Sequence, residues 1–232
     1  QVPGVVDETL TPAIAGLLGQ ALATLVQEQG GRQVAVARDA RISSPALAEA
    51  LIDGLSASGC DVLDIGQAPT PLLYFAMETQ PVQAGVMVTG SHNPASYNGF
   101  KIVVGDRVLD GDDLLKLRER IQQGLFNHGD GQIQRTDLVG DYIDAVNREV
   151  QLARPLRVVV DAGNGVAGEV DDDLSQPAGI AAHQSGHLVV YDAGEFEILL
   201  CGCHSDDVGR LFQSSSEIEI HHLEVQLARG DL

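Results

Sequence analysis

Several features are scarce in this chain, and each scarcity excludes something. Its 232 residues include only three cysteines, Cys60, Cys201 and Cys203, an odd count that makes no disulfide framework and fits a reducing compartment. No apolar run reaches the roughly 18 residues that a transmembrane helix needs. The first segment carries Asp7 and Glu8 without a basic cluster, so it does not read as a signal peptide, and the cytoplasm is the expected location. Basic residues are few, 14 Lys and Arg against 33 Asp and Glu, for a net charge of −19. With no local basic patch, that balance argues against nucleic acid and anionic membranes as partners.

What is present is enough for one large or two small domains with a substantial core. The charge is uneven. Residues 1–168 hold 12 basic and 20 acidic side chains, whereas residues 169–232 hold 2 and 13, together with five of the seven histidines and two of the three cysteines. Such a shift in composition marks a boundary or a change in the origin of the sequence.

Along residues 1–153, strand and helix signals alternate. The segment up to Thr9 has no strong period. Thr11-Pro12 then opens a helix, with Thr11 as N-cap and Pro12 in the first turn. Leu17, Leu18, Ala21, Leu22 and Leu25 recur on one face, and Gly30-Gly31 ends the run. Val34 to Ala37 reads as a buried strand, followed by the polar loop Arg38-Asp39-Ala40-Arg41-Ile42-Ser43-Ser44 and a helix from Pro45. Asp61 to Gly66 is a further strand, and Pro69-Thr70-Pro71 starts a helix to Thr79. Helices are also predicted from Gly111 to Gln123 and from Leu138 to Val150, and Val108-Leu109 forms a hairpin with Ile102-Val103-Val104 around Gly105-Asp106. The pattern predicts a layered α/β/α domain with a mixed, mostly parallel sheet. A partial second α/β unit, residues 154–232, is expected to begin with the strand and glycine turn from Leu156 to Gly168.

The stretch from Val88 to Lys101 stands out. A polar segment rich in Gly, Ser, Asn and Pro joins the apolar runs Ala84–Val88 and Ile102–Val104, so it reads as strand, exposed loop, strand. Gly90 would let the backbone turn sharply before Ser91, and Pro94 would stiffen the loop just after it. Adjacent side chains diverge on an extended loop, so Ser91 and His92 need not form a nucleophile and base pair. Asn93 stands where a G-x-S-x-G elbow needs glycine, which weakens a hydrolase reading.

The run Thr89-Gly90-Ser91-His92-Asn93-Pro94-Ala95-Ser96-Tyr97-Asn98-Gly99-Phe100-Lys101 resembles the phosphoserine loop of the α-D-phosphohexomutases. Its G-S-H-N-P and N-G-F-K forms look most like the bacterial phosphomannomutase/phosphoglucomutase branch. The resemblance implies an isomerase of carbohydrate metabolism that moves a phosphoryl group between C1 and C6 of mannose or glucose phosphate. Ser91 would be the phosphoryl donor and acceptor, passing through a hexose 1,6-bisphosphate. His92 and Asn93 would shape the phosphate site, and Lys101 would transfer a proton or neutralise phosphate. Mg²⁺ would be the cofactor, bound to Ser91 through its phosphate.

Two further segments carry the likeness. Arg38 to Ser44 resembles the family's G-x-D-x-R-x-S-S segment, and Ala68-Pro69-Thr70-Pro71-Leu72 also fits. Arg38 and Arg41 could meet a phosphate at a strand's carboxyl end, helped by a helix N-terminus; the competing reading has them support the serine loop. Val158 to Gly168 resembles the start of the family's second domain. Pro3 replaces an arginine of the family's Y-D-I-R-G motif, so one expected cation is missing.

Beyond Gly168 the likeness ends. The family's D-G-D-G-D-R metal loop and its later substrate-gripping loops do not follow, so little or no mutase turnover is expected of this chain. His204 to Arg210, Gln184-Ser185-Gly186-His187 and Asp171-Asp172-Asp173 match no such loop. Cys201, Cys203, His204, His221 and His222 lack the paired spacing of a zinc site. The tail is a divergent second domain, a partner-binding extension or a stretch read out of frame, the last being favoured. Against the enzyme stands a non-catalytic phosphate- or partner-binding α/β module.

Overall fold

A computed structural model of the chain describes residues 2–149, 157–161, 166, 181–185, 188–192 and 198–201. Its first elements are β1 (Val2–Val5), α1 (Pro12–Glu28), β2 (Gln33–Arg38), α2 (Ser44–Ala57), β3 (Asp61–Gln67) and α3 (Thr70–Thr79). β4 (Ala84–Val88), β5 (Tyr97–Val104), β6 (Arg107–Val108), α4 (Gly111–Gln123), β7 (Ile133–Arg135) and α5 (Val139–Glu149) follow.

Local chemistry explains where these helices start and stop. Thr11 Oγ1 accepts the Ile14 N–H at 3.3 Å, taking one of the orphan donors at the start of α1, and Pro12 fits the first turn. α4 carries Asp112 and Asp113 in its first turn and ends on Gly124 in the left-handed conformation.

The sheet order is β1-β5-β4-β2-β3-β7, with β6 paired to β5. β4, β2, β3 and β7 run parallel, while β5 is antiparallel to its neighbours β4, β1 and β6. This is the layered α/β/α domain with a mixed, mostly parallel sheet that the sequence predicts. Strand residues alternate between two cores. Val34, Val36, Val86, Val88, Phe100 and Ile102 face α1, α2 and α4, whereas Ala35, Ala37 and Met87 pack with Leu72, Leu73 and Ala76 of α3 and with Leu138. Burying a side chain such as Leu22 or Leu51 contributes about 1.5–3 kcal/mol, and both are fully buried.

α1 and α2 cross at backbone contact. A Cβ on Gly54 would lie 2.1 Å from the Gly16 carbonyl oxygen, so a side chain there would force the helices apart. The buried side of α1 is therefore broader than the predicted stripe, with Ala15, Gly19, Ala23 and Val26 also buried. Leu17, expected on the buried face, is instead 38% exposed.

Two strands of this sheet were not apparent in the sequence. The segment without a period forms β1, in register with β5 from Val2 opposite Phe100 to Val5 opposite Tyr97. β7 is a short, exposed edge strand beside β3. The strand after the serine loop begins at Tyr97 and not at Ile102.

The chain divides into two units, Gln1–Ala145 and Val146–Leu232, with the division inside α5. In the second, β8 (Arg157–Asp161), β9 (Ala181–Ser185), β10 (Leu188–Asp192) and β11 (Ile198–Cys201) form a sheet of order β11-β8-β10-β9. β8 is the strand expected after Leu156, parallel to β11 and antiparallel to β10. The glycine turn at Gly163 and Gly165, the Asp171–Asp173 run, the His204–Arg210 segment, Cys203, His187, His221 and His222 lie outside the described residues.

Candidate functional site

The serine loop leaves the carboxyl end of β4, the edge at which open α/β sheets place their ligands. Parallel pairing puts the ends of β2 and β4 side by side, with Arg38 in register with Val88. The Asp39 N–H then donates to the Val88 carbonyl at 2.9 Å. The Arg38–Ser44 loop is thereby seated against the serine loop, some fifty residues later in the chain.

Ser91 itself adopts φ 53°, one of two non-glycine residues at positive φ among the described residues. For a non-glycine residue that conformation costs about 1–2 kcal/mol. The sequence pointed to Gly90 as the residue that supplies an unusual turn, and the structure divides the work otherwise. Ser91 takes the left-handed conformation. Gly90 is needed because the Arg41 guanidinium lies against it: a Cβ there would sit 2.3 Å from Arg41 Cζ.

Arg41 is the hub of this loop. Its Nη1 donates to the carbonyls of Pro94 at 2.7 Å and Tyr97 at 2.9 Å, and its Nη2 to those of Ser91 at 3.0 Å and Asn93 at 2.6 Å. Its Nε lies 3.3 Å from Asp39 Oδ2. The two Nη groups thus spend all four of their N–H donors on the loop, while Nε faces the Asp39 carboxylate in an ion pair. In this structure Arg41 supports the loop and has no Nη donor left for a phosphate.

Asp39 ties the cation to the backbone. Its Oδ2 also accepts the Gly90 N–H at 3.3 Å, while Oδ1 accepts the Arg41 N–H at 3.1 Å and the Ser44 hydroxyl. Behind it, the fully buried Asn98 donates to Ser43 Oγ and Ser44 Oγ, each at 2.9 Å, and its Oδ1 accepts the Gly99 N–H at 2.8 Å. A buried polar network survives only when its members satisfy one another, and this one links both loops to the start of β5. Sequence reasoning did not single out Asp39 or Asn98. Their signal was the pairing of a short acid with two hydroxyls in one segment and a buried amide in the other.

The remaining loop bonds fix Ser91 from both sides. Its N–H donates to Thr89 Oγ1 at 2.9 Å, and its carbonyl is held by Arg41. Asn93 closes the turn, donating from both its backbone N–H, at 3.0 Å, and its Nδ2, at 2.9 Å, to the Gly90 carbonyl. Among the described residues, Ser91 Oγ has no hydrogen-bond partner, and Ser91 is half-buried. The backbone of this hydroxyl is thus held on both sides while its oxygen stays open.

The other predicted site residues are distributed around this core. Arg38 donates to Gln67 Oε1 at 3.1 Å and makes no ion pair among the described residues, so its charge and most of its donors remain available. His92 is exposed and is not hydrogen-bonded to Ser91. Lys101 stands opposite Met87 in the β4–β5 ladder. Residues directly opposite in such a pair share a face, which puts Lys101 on the α3 side of the sheet. The Lys101 ammonium has no ion pair or hydrogen bond among the described residues. The structure thus brings Ser91, Asn93 and Arg41 together, sets Arg38 beside them, and joins neither His92 nor Lys101 to the hydroxyl.

A Mg²⁺ ion needs several oxygen ligands. Among the described residues no group of three or more His, Cys, Asp or Glu side chains converges. Ser91 alone does not make a metal site.

The fold and the loop define a class: a layered α/β/α domain presenting an open serine hydroxyl at the carboxyl edge of its sheet. The profile of the family described as phosphoglucomutase/phosphomannomutase, alpha/beta/alpha domain I, matches residues 2–128. A phosphomannomutase/phosphoglucomutase of Pseudomonas aeruginosa is 42% identical over 178 residues, covering 77% of this chain and 38% of that protein. A phosphoglucomutase of Neisseria meningitidis is 39% identical over 169 residues, 72% of this chain and 37% of that protein. The crystal structure of a phosphoglucomutase/phosphomannomutase family protein from Burkholderia thailandensis superposes with a TM-score of 0.72 at 42% identity, over 74% of this chain and 39% of that one. The chain belongs to the phosphoglucomutase/phosphomannomutase family, and it spans about two-fifths of the length of the curated relatives it matches. No helix among the described residues is long and apolar enough to cross a membrane.

Proposed function

We propose that Ser91 carries the phosphoryl group in a phosphohexomutase reaction on glucose or mannose phosphates. The observation that carries this reading is the unpartnered Ser91 oxygen on a backbone held in place by Arg41, in a chain of this family. Phospho-Ser91 donates its phosphoryl to the free hydroxyl of a hexose 1- or 6-phosphate, breaking the Ser91 Oγ–P bond and forming the 1,6-bisphosphate. The bisphosphate then returns its other phosphoryl to Ser91 Oγ, leaving the isomeric monophosphate. In each half the attacking hydroxyl loses a proton and the departing oxygen gains one. Lys101 and His92 are the nearby candidates to move that proton.

Arg38, whose charge is uncompensated, is the better candidate for neutralising a phosphate, and Asn93 shapes the turn in which it would sit. Mg²⁺, when bound, would neutralise charge on the transferring phosphoryl, with Ser91 phosphate as one ligand and the rest from outside the described residues. In domain terms, residues 1–153 are the serine-loop domain and residues 154–232 a partial second unit.

The test is to incubate the chain and its Ser91→Ala variant with glucose 1,6-bisphosphate and measure intact mass, alongside isomerisation of glucose 1-phosphate. The expected result is one phosphoryl group on the parent and none on the variant. Equal incorporation by both would overturn the assignment. Phosphoryl retention with no isomerisation would favour the non-catalytic module.

A further inference from the structure

We infer that Arg41 is the positioning residue of phosphoryl transfer at Ser91, acting as a template for the loop and not as a ligand for phosphate; the rate part of this inference rests on the function proposed above. The argument begins with donor counting. All four Nη N–H groups of Arg41 are already committed to carbonyls of the serine loop, and Nε faces Asp39 in an ion pair. A phosphate could claim one of them only by taking it from the loop. Burial strengthens the case, because the Arg41 and Asp39 side chains are only 19% and 17% exposed and the bonds to Ser91, Asn93 and Tyr97 are part-buried, so water only partly replaces the donor those carbonyls would lose.

Four of the accepting carbonyls, those of Ser91, Asn93, Pro94 and Tyr97, span the whole loop, so one planar group sets the relative positions of its entry, turn and exit. Ser91 lies at positive φ, which an L-residue with a side chain leaves readily unless neighbours hold it there. Arg41 holds its carbonyl and Thr89 Oγ1 holds its N–H, so the Cα–Cβ direction, and with it the approach line of Oγ, follows from the template. Gly90 completes the seat, since any side chain there would overlap the guanidinium. A lysine cannot substitute: it offers a point charge and three rotatable donors in place of a planar fork.

The experiment compares the parent with Arg41→Lys, Arg41→Met and Gly90→Ala. The single-turnover rate of Ser91 phosphorylation is followed over a range of glucose 1,6-bisphosphate concentrations, with amide hydrogen exchange read over residues 90–97. The expected outcome is a maximal rate about 100-fold lower, the scale of loss when a reacting atom is misplaced by about 1 Å. The half-saturating bisphosphate concentration should stay close to the parent's. Exchange over residues 90–97 should rise while α1 and β2 stay protected, and Lys should not restore the rate.

Recovery by Arg41→Lys would show that only charge matters and would overturn the inference. So would an unchanged maximal rate with a raised half-saturating concentration, the behaviour of a phosphate ligand. If both Arg41 variants fail to fold, Gly90→Ala, which keeps the cation and invades its seat, decides by the same readings. If the parent accepts no phosphoryl group, the functional reading fails separately, and exchange over residues 90–97 still decides: no rise in the variants overturns the template.

Discussion

The two ends of the main sheet each carry an arginine–aspartate pair, and the two pairs do different work. At the amino edge, Arg32 and Asp61 approach to 3.1 Å, with side chains 64% and 27% exposed. At the carboxyl edge, Arg41 and Asp39 are slightly farther apart at 3.3 Å, but 19% and 17% exposed. Distance would rank the amino-edge pair first, yet burial and partners reverse the order. Arg41 binds four backbone carbonyls besides its aspartate, whereas among the described residues the Arg32 side chain meets Asp61 alone. The backbone at the amino edge is tied instead by a neutral group, Gln83 Oε1, which accepts the N–H groups of Arg32 and Gln33, each at 2.9 Å. A charge pair shapes the chain where water is excluded and where backbone acceptors depend on it; in solvent it contributes little.

Breaking the half-buried pair should have the largest effect. Arg41→Met leaves a carboxylate and four carbonyls without their donor, and should lower unfolding free energy by about 3 kcal/mol in a urea titration. A loss within error of zero would mean that water replaces the guanidinium. Next comes Asn98→Ala, which removes a fully buried amide and leaves the Gly99 N–H without its acceptor; about 2 kcal/mol is expected. The same urea titration measures it, and an unchanged midpoint would separate this network from the stability of the loop.

Arg32→Met, the exposed counterpart, should cost no more than about 0.5 kcal/mol, and that cost should shrink with added salt. The contrast collapses if Arg32→Met proves as costly as Arg41→Met. Asp61→Asn sharpens it through pH. The Gln132 N–H, and after it Arg32, holds the Asp61 carboxyl below its ordinary value of 3.8. The group is depressed on folding, so its contribution is present above the unfolded value and is lost as pH falls through the lower folded value. The stability gap between parent and Asp61→Asn should therefore be widest near neutrality and close in acid, as thermal melts from pH 7 to pH 2 would show. A gap that stays constant over that range would remove the carboxylate from the account.

Much of the first unit was legible in the sequence because its signals are local. The Thr11 cap, the period of α1, the acids opening α4 and the hairpin at Gly105-Asp106 each depend on residues within a few positions of one another. β1 and β7 were not legible for the opposite reason. β1 exists through pairing with β5, nearly a hundred residues away, and β7 is three exposed residues with no apolar pattern. Leu17 was misplaced because a helix packed against both a sheet and another helix buries small residues that a count of large apolar side chains overlooks.

The candidate site divides the same way. Sequence by itself determined the family, the location of the loop and the identity of Ser91, since these rest on residue types at fixed spacing along one stretch of chain. It left Arg41 between two roles, because an arginine near a strand end suits a phosphate and a loop equally well. Only the tertiary structure decided which donors that arginine had already spent. It also showed that Ser91, not Gly90, takes the unusual conformation, and that Asp39 and Asn98 fasten one loop to another. Those outcomes depend on groups that meet only when the ends of β2 and β4 lie side by side. No spacing along the chain can specify how many of an arginine's five donors will find carbonyls there.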